Sequence, residues 1–522
     1  MSVGHKRRGG RKARRYSRKH AIADPLAAVR PGQTGGAYRP LGEPEIRRIV
    51  ATALDLLEDV GMGTPIPTFV ELGMQAGCRV DERGRLRIPR DLVEDTIANK
   101  AARHFTVYGF DPDHDLEITD ARVHFGTGGA AVHMFDLDTM TFEPSTLLDL
   151  YDLACLAHNL DHVHFFLRPI VARDMEIARE LDINTAYAVM SATTKPVASS
   201  FFDPAHVYEV VEMADLMLGG AGRFRQRPFL HASNTFVVPP LRFAEESCEC
   251  LVAQVRSGMM VMLVSAGQAG ATSPAALAGS LAQALAECLA GLTMINLINP
   301  GHPATLGMWS FVSDLRTGAM SGGSGEQALL SACSAQIVNW LGLPVAAPAG
   351  MTDAKMPDNQ AGYEKGVTVA LTAAAGANMI YESGSMLASI LSSSKEAFVI
   401  DNDMLGMINR TVRGVEVTND TLSLDTIRAV VEGDGHFLGD EQTLRLMQSE
   451  YLYPSLGDRS SPKEWVENGK PVLIPLAQQT VRQVLSSYRP AHIPLAVHEE
   501  IRRRFPIRLP LEEIAGDSRR WM

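Results

Sequence analysis

Eight apolar, strand-like runs recur through the middle of the chain and end near Gly126, Arg168, Phe202, Asn234, Gly267, Trp309, Thr352 and Glu382. They stand 30 to 43 residues apart. Each gap holds a helical pattern: Leu147–Asn159, Met175–Ser191, Pro204–Leu218, Leu241–Ser257, Pro274–Ala290, Gly325–Leu341 and Gln360–Gly376. The unit from Pro344 to Ser383 shows the repeat most clearly. An apolar run to Ala349 meets Gly350, a polar loop follows to Asn359, then a small-residue helix and a second apolar run to Tyr381. Strands joined by crossover helices lie parallel, and eight such repeats predict a (β/α)8 TIM barrel. A doubly wound sheet competes poorly, because no GxGxxG opens the first helix.

The 522 residues are 46% hydrophobic, enough for a large core. Residues 121–400 are assigned to the barrel, and residues 41–120, with runs such as IRRIVATALDLLEDVG, to an N-terminal helical region. Residues 401–522 read as a C-terminal helical region that packs on the barrel or on a neighbouring subunit, so a homo-oligomer is expected. Residues 1–40 read as a disordered basic tail and a Pro/Gly-rich linker. The formal net charge is −11, but residues 1–20 hold nine Lys/Arg and no acid, so the rest carries −20. With no apolar core behind it, the tail is not a signal peptide. Neither membrane nor nucleic acid is expected as a partner, since no run approaches the ~18 unbroken apolar residues of a membrane span. Six scattered cysteines without zinc spacing suit reduced thiols in the cytoplasm.

Barrel chemistry gathers at the C-terminal strand ends. Those ends carry no histidine cluster, so no metal site is expected, and no GxSxG elbow precedes a helix. They carry aromatic rings and carboxylates instead. A quaternary ammonium ion has no N–H to donate, so ring faces and opposite charge must hold it. Trp309, Tyr381, Phe202 and Phe236 are the candidate box, with Glu382 or Asp353 as counter-charge; the same rings would equally suit a core. The glycine runs Gly126–Gly129 and Ser321–Gly325 read as tight turns. Asp434–Gly439 matches DxHxxG, a cobalt-binding histidine motif in some cobalamin domains, but its flanks are helical and it reads as a corner between helices.

Three stretches carry a resemblance: MTDAKMPDNQAGYEKGVTVALTAAAGANMIYESG, GGSGEQALLSACSAQIVNWLGLP and GHFLGDEQTLRLMQSEYLYPSLGDR. From about Tyr38 to about Arg504 the chain resembles the trimethylamine methyltransferase family. Archaeal members carry pyrrolysine in the barrel mouth; the equivalent position here falls in the loop Asp353–Asp358, which has only standard residues. The resemblance implies a (β/α)8 barrel that passes a methyl group to the Co(I) corrinoid of a separate small protein, with no corrinoid bound tightly by this chain. A glycine betaine-like quaternary amine is the expected substrate, with Asp353 and Glu382 as the catalytic pair. Arg168, Lys355 and His133 are candidates to hold a betaine carboxylate. The alternatives are trimethylamine or another methylamine as substrate, or a non-catalytic quaternary-amine binding protein on the same barrel.

Overall fold

The computed structural model describes residues 27–433, 435–516, 518, 520 and 521. The basic stretch 1–20 lies outside them. The described chain divides into two compact units: residues 31–413 with 454–521, and residues 27–30 with 414–453.

The large unit is built on a curled nine-stranded sheet. Eight strands run parallel: β1 (Arg122–Phe125), β2 (Phe166–Leu167), β3 (Val197–Ser199), β4 (Leu230–Asn234), β5 (Val261–Ser265), β6 (Ala304–Met308), β7 (Val345–Pro348) and β8 (Met379–Tyr381). The order is β1-β8-β7-β6-β5-β4-β3-β2, and Gln33–Thr34 adds an antiparallel strand on β1. Past the end of β1, Gly126 forms a parallel bridge with Phe165, and Ala131 forms another with Ile170. Helices α1 (Leu147–Asn159), α2 (Ala178–Ala192), α3 (Pro204–Met217), α4 (Glu245–Ser257), α5 (Leu277–Ile298), α6 (Gly325–Trp340) and α7 (Asn359–Ala374) fill the seven intervals. The helical periodicity placed all seven, most of them to within a turn.

Successive strand residues face opposite ways, and they sort into two apolar clusters. Outward residues such as Phe166, Leu230, Leu263 and Ile380 join the helix layer. Inward residues such as Leu167, Met262, Trp309 and Tyr381 form a separate inner cluster. Helix α5 spans 22 residues and is apolar enough by length and composition to cross a membrane, yet 89% of its apolar window is buried in this protein. It packs on β5, β6 and the N-terminal helix Glu43–Asp55. Its buried Glu287 accepts from Leu241 N at 2.7 Å and Ser265 Oγ at 2.5 Å, fixing helix to sheet.

Two strands end earlier than their apolar runs. The apolar run of β3 extends to Phe202, but the Phe202 N–H turns to Asp182 Oδ2 at 2.8 Å instead of the ladder. The run of β7 extends to Thr352, but Gly350 takes φ +104° and the Asp353 N–H goes to Glu364 Oε2 of α7 at 2.8 Å. Beyond the strand ends, loops build small sheets of their own. Gln268–Ala269 pairs with Phe311–Val312, and the hairpin His133–Asp136/Thr141–Pro144 pairs with Ser392–Ser393. Helix α8 (Lys395–Arg413) follows, and Leu473–Ser487 packs on α8 and α1.

Opposite those loops, Lys195 is buried and donates to three carbonyls: Ala157 at 2.7 Å, Leu160 at 2.8 Å and Val163 at 2.5 Å. It thereby closes the end of α1 and the turn into β2. Burial pulls its pKa down to about 8. Lys195→Met leaves three buried acceptors without their donor, so we expect a loss of about 2–4 kcal/mol in denaturant unfolding. An unchanged midpoint would mean the loop holds itself.

Candidate active site

The residue after β8 breaks the rules that the rest of the sheet obeys. Glu382 adopts φ +62°, the left-handed region that non-glycine residues seldom occupy. Two glycines make the turn possible. A Cβ on Gly128 would stand 3.2 Å from Glu382 Cγ, and one on Gly350 would stand 2.8 Å from the Glu382 carbonyl oxygen. The carboxylate is fully buried, and neither oxygen accepts a hydrogen bond from any described residue. With desolvation unopposed, its pKa rises to about 8.

The segment that follows is strained as well. Ser385, Ala388, Ser389 and Ile390 also take positive φ, each costing on the order of 1–3 kcal/mol. Hydrogen bonds to the β7–α7 loop hold it: Ala388 N donates to Ala354 O and Ser389 N to Thr352 O, both at 2.8 Å. Asp353 is consumed by the same work. Its carboxylate accepts from Ser321 Oγ and Gly322 N at 2.8 Å each, and from Ser389 Oγ, so three loops are tied at one side chain. Glu364 anchors the loop from below, accepting from Thr352 Oγ1 at 2.5 Å and Gln360 Nε2 at 2.9 Å.

Next to Glu382 in the chain, Tyr381 turns its ring into the inner cluster. Trp309 stands 5.9 Å from it, ring centre to ring centre, and Phe165 stands 4.7 Å away edge-on. Phe311 extends the group 6.1 Å beyond Trp309, and Met351 belongs to the same cluster. The Tyr381 hydroxyl shares a hydrogen bond with His231 Nε2 at 3.1 Å. Burial lowers the His231 pKa to about 3, so the imidazole is neutral. The indole N–H of Trp309 is buried without a partner among the described residues. The result is a buried aromatic cluster with a thioether, next in the chain to a carboxylate that has no hydrogen-bond partner among the described residues, a set of residue types suited to an organic cation.

Of the sequence-derived candidates, the structure brings together Glu382, Tyr381 and Trp309. Phe236 does not join them: it is fully buried in the helix layer, against Phe243 and the bare backbone of Gly291 in α5. Phe202 is 56% exposed at the rim. Arg168 follows an inward residue and therefore faces out, into a small cavity with Leu181, Asp182 and Phe202, where burial lowers its pKa. Lys355 is exposed and donates to the Asp353 carbonyl at 2.5 Å. His133 lies in the hairpin beside Phe142, paired in the small sheet with Ser392. Phe165, Phe311, Met351 and His231 escaped a reading confined to strand ends, and Gly128 was read there only as part of a tight turn. Strand alternation carried a signal for two of them: His231 is an inward position of LHASN, and Phe165 precedes the inward Leu167 by two.

Parallel strands alternating with helices, with these residues at their C-terminal ends, define an α/β fold. The chain belongs to the trimethylamine methyltransferase family, whose model matches residues 7–508, and it is a methyltransferase. It is 29% identical to the glycine betaine methyltransferase of Desulfitobacterium hafniense strain Y51, over 88% of this chain and 95% of that one. It is 31% identical to trimethylamine methyltransferase MttB1 of Methanosarcina acetivorans, over 85% and 90%. Among solved structures it is similar to the monomethylamine methyltransferase MtmB of Methanosarcina barkeri, with a TM-score of 0.45 and 13% identity over 87% of this chain and 96% of that one.

A carboxyl whose folded pKa of about 8 exceeds its ordinary 4.5 stabilises the fold below pH 4.5, and that contribution is lost as pH rises through 8. Glu382→Gln removes the titration. Relative to the parent protein, the variant should therefore gain stability between pH 5 and pH 9 and level off above. Denaturant unfolding at both pH values checks this; a difference independent of pH would show that Glu382 has an ordinary pKa.

Proposed function

We propose that this protein removes a methyl group from a quaternary amine of the glycine betaine type and delivers it to the Co(I) corrinoid of a separate partner protein. Glu382 carries this reading: its buried carboxyl has no hydrogen-bond partner among the described residues, a cation beside it would favour its ionised form, and Tyr381 next to it belongs to an aromatic cluster. On the same reading the sheet is a closed (β/α)8 barrel. The bridges Gly126–Phe165 and Ala131–Ile170, which link the end of β1 to the β2 edge, support closure.

A corrinoid on the partner would supply the nucleophile, and a quaternary nitrogen that gives up a methyl group keeps the C–N electron pair and leaves as a neutral tertiary amine. No proton has to move, so this chain needs no general acid. Its residues bind and align. Trp309, Tyr381, Phe165 and Phe311 offer faces and edges to the N-methyl groups, and Glu382 sets the position of the charge. As the leaving amine becomes neutral, its attraction to Glu382 disappears, which favours release. His231 fixes the Tyr381 hydroxyl and with it the tilt of the ring. Asp353 shapes the mouth through its three hydrogen bonds and does not face the substrate.

Assigning the corrinoid to a partner draws support from the helical corner around His436. Gly435 and the residues after it connect helix Leu424–Glu432 to helix Glu441–Leu446; Asp434 lies outside the described residues. A cobalt-ligating histidine of the DxHxxG type requires a strand before it, and here a helix stands in its place.

The direct test is methyl-corrinoid formation by the purified chain, a corrinoid partner protein and a panel of glycine betaine, proline betaine, carnitine and trimethylamine. Turnover of a quaternary member is expected; turnover of trimethylamine alone would move the assignment to a tertiary amine, and none at all would leave a binding protein. Binding gives a sharper prediction. Affinity for a trimethylammonium ligand should rise about tenfold per pH unit on approaching pH 8 and then flatten, because only the ionised carboxyl attracts the cation. Affinity for the neutral tert-butyl analogue should stay constant. Trp309→Leu should weaken the cation about 2- to 30-fold. Equal pH profiles for both ligands would remove Glu382 from the site.

A further inference from the structure

Helix α8 begins where the strained segment after β8 ends, and its first turns grip that segment. Phe398 fills the space beside Gly384, where an added Cβ would stand 2.7 Å from its ring. Asp401, one turn on, accepts from Ser385 N at 2.8 Å while paired with Lys365. The turn that carries Glu382 is thus held by α8 at the two residues Gly384 and Ser385.

What holds α8 is a largely buried charge cluster at its first residue. Lys395 Nζ donates to Asp149 Oδ1 at 2.6 Å and lies 3.7 Å from Asp152 Oδ2, both on α1. Desolvation works against a buried ammonium, but the two carboxylates outweigh it, and the Lys395 pKa is raised. The other oxygen of Asp149 accepts from Thr146 N at 3.1 Å and caps α1. Thr146 follows the hairpin that pairs with Ser392–Ser393. Arg520 closes the cluster from the far side. Its guanidinium is bidentate on Asp152, at 2.9 and 3.1 Å, and reaches Glu513 at 2.8 and 3.0 Å. The Trp521 ring lies 5.5 Å from the Lys395 nitrogen. Three carboxylates therefore face two cations, and loss of either cation leaves a carboxylate short of its partner.

The place of this cluster gives it a local effect. Four residues between Ser385 and Ile390 take positive φ, and such conformations persist only under restraint from their surroundings. One end of the segment is fixed by β8, the other by Lys395.

We propose that Lys395 is a positioning residue: it clamps the first turn of α8 to α1, so that the segment from Gly384 to Ser394 keeps Glu382 in its buried left-handed turn, and Arg520 supports the clamp through Asp152. The bearing of the clamp on catalysis rests on the proposed function; its effect on the turn does not. Hydrogen exchange of the full chain reads the turn directly. In Lys395→Met, amides of residues 384–394 and of the hairpin 133–144 should exchange at least about tenfold faster, with those of β4, β5 and β6 unchanged. Lys395→Arg keeps the charge and should restore the parent rates. Lys195→Met, at the opposite end of the sheet, should leave residues 384–394 at the parent rates. Acceleration spread evenly over the chain, or unchanged exchange in residues 384–394, would overturn the proposal. Should Lys395→Met fail to fold, Arg520→Met carries the same test: acceleration confined to residues 384–394 and the start of α8 supports the clamp, and unaltered or evenly spread exchange overturns it. Ligand binding separates the clamp from the function. In the loosened variant, trimethylammonium affinity should fall about 10- to 100-fold, while affinity for the neutral tert-butyl analogue holds. A parent protein that binds no trimethylammonium ligand would count against the proposed function and leave the exchange result standing.

Discussion

The cost of keeping one carboxylate dry shapes the mouth of this protein. Buried charges are ordinarily paired or given donors, and the chain observes this nearly everywhere. Glu287 has Ser265 and Leu241, Asp182 has His206, and Asp401 has Lys365 at 2.7 Å together with Ser385 N at 2.8 Å. Glu382 alone among these is denied a partner, on a backbone conformation that itself costs energy. Such an arrangement persists only where the surroundings over-determine it. Here they do, because Asp353, Glu364 and the Lys365–Asp401 pair fasten the loops on either side. Three acidic residues are spent on scaffolding so that the fourth stays available.

The aromatic rings answer the same constraint from the other direction. Water inside the curl of the sheet would solvate Glu382 and erase its preference for a cation. On the proposed function, Trp309, Phe311, Phe165 and Tyr381 exclude it and offer faces to a charge that cannot donate hydrogen bonds. On that reading, shape and charge selection come from adjacent residues, Tyr381 ending a strand and Glu382 starting its loop.

Much of this was legible in the sequence. Hydrophobic periodicity places seven helices and eight strands, because long apolar segments fold as their period dictates. Glu382 and the Trp309–Tyr381 pair follow from counting strand ends. What periodicity could not show is where a side chain finds company. Phe236 looks identical to Trp309 on that count, yet it sits against Gly291, which leaves room for its ring in the helix layer. Phe202 falls just past its strand, where a single hydrogen bond from its N–H to Asp182 turns the backbone aside, and Arg168 follows an inward residue and so faces out. Asp353 reads as free charge until Ser321, Gly322 and Ser389 are brought from two other loops. Such long-range partners leave no trace in local pattern.

Helix α5 has a bearing on how the chain is made. It leaves the ribosome as a 22-residue apolar segment after β5 but before β6, the other strand it packs on. The helices from Glu43 onward, which cap its other side, have been synthesised by then. Early emergence of that cap gives the most aggregation-prone segment a surface to dock on during translation, when exposed apolar helices otherwise recruit chaperones or other nascent chains. Glu287 and Gln283 within it make the segment a poorer candidate for insertion into a bilayer. The order of the elements along the chain thus places the partner of this helix ahead of the helix itself.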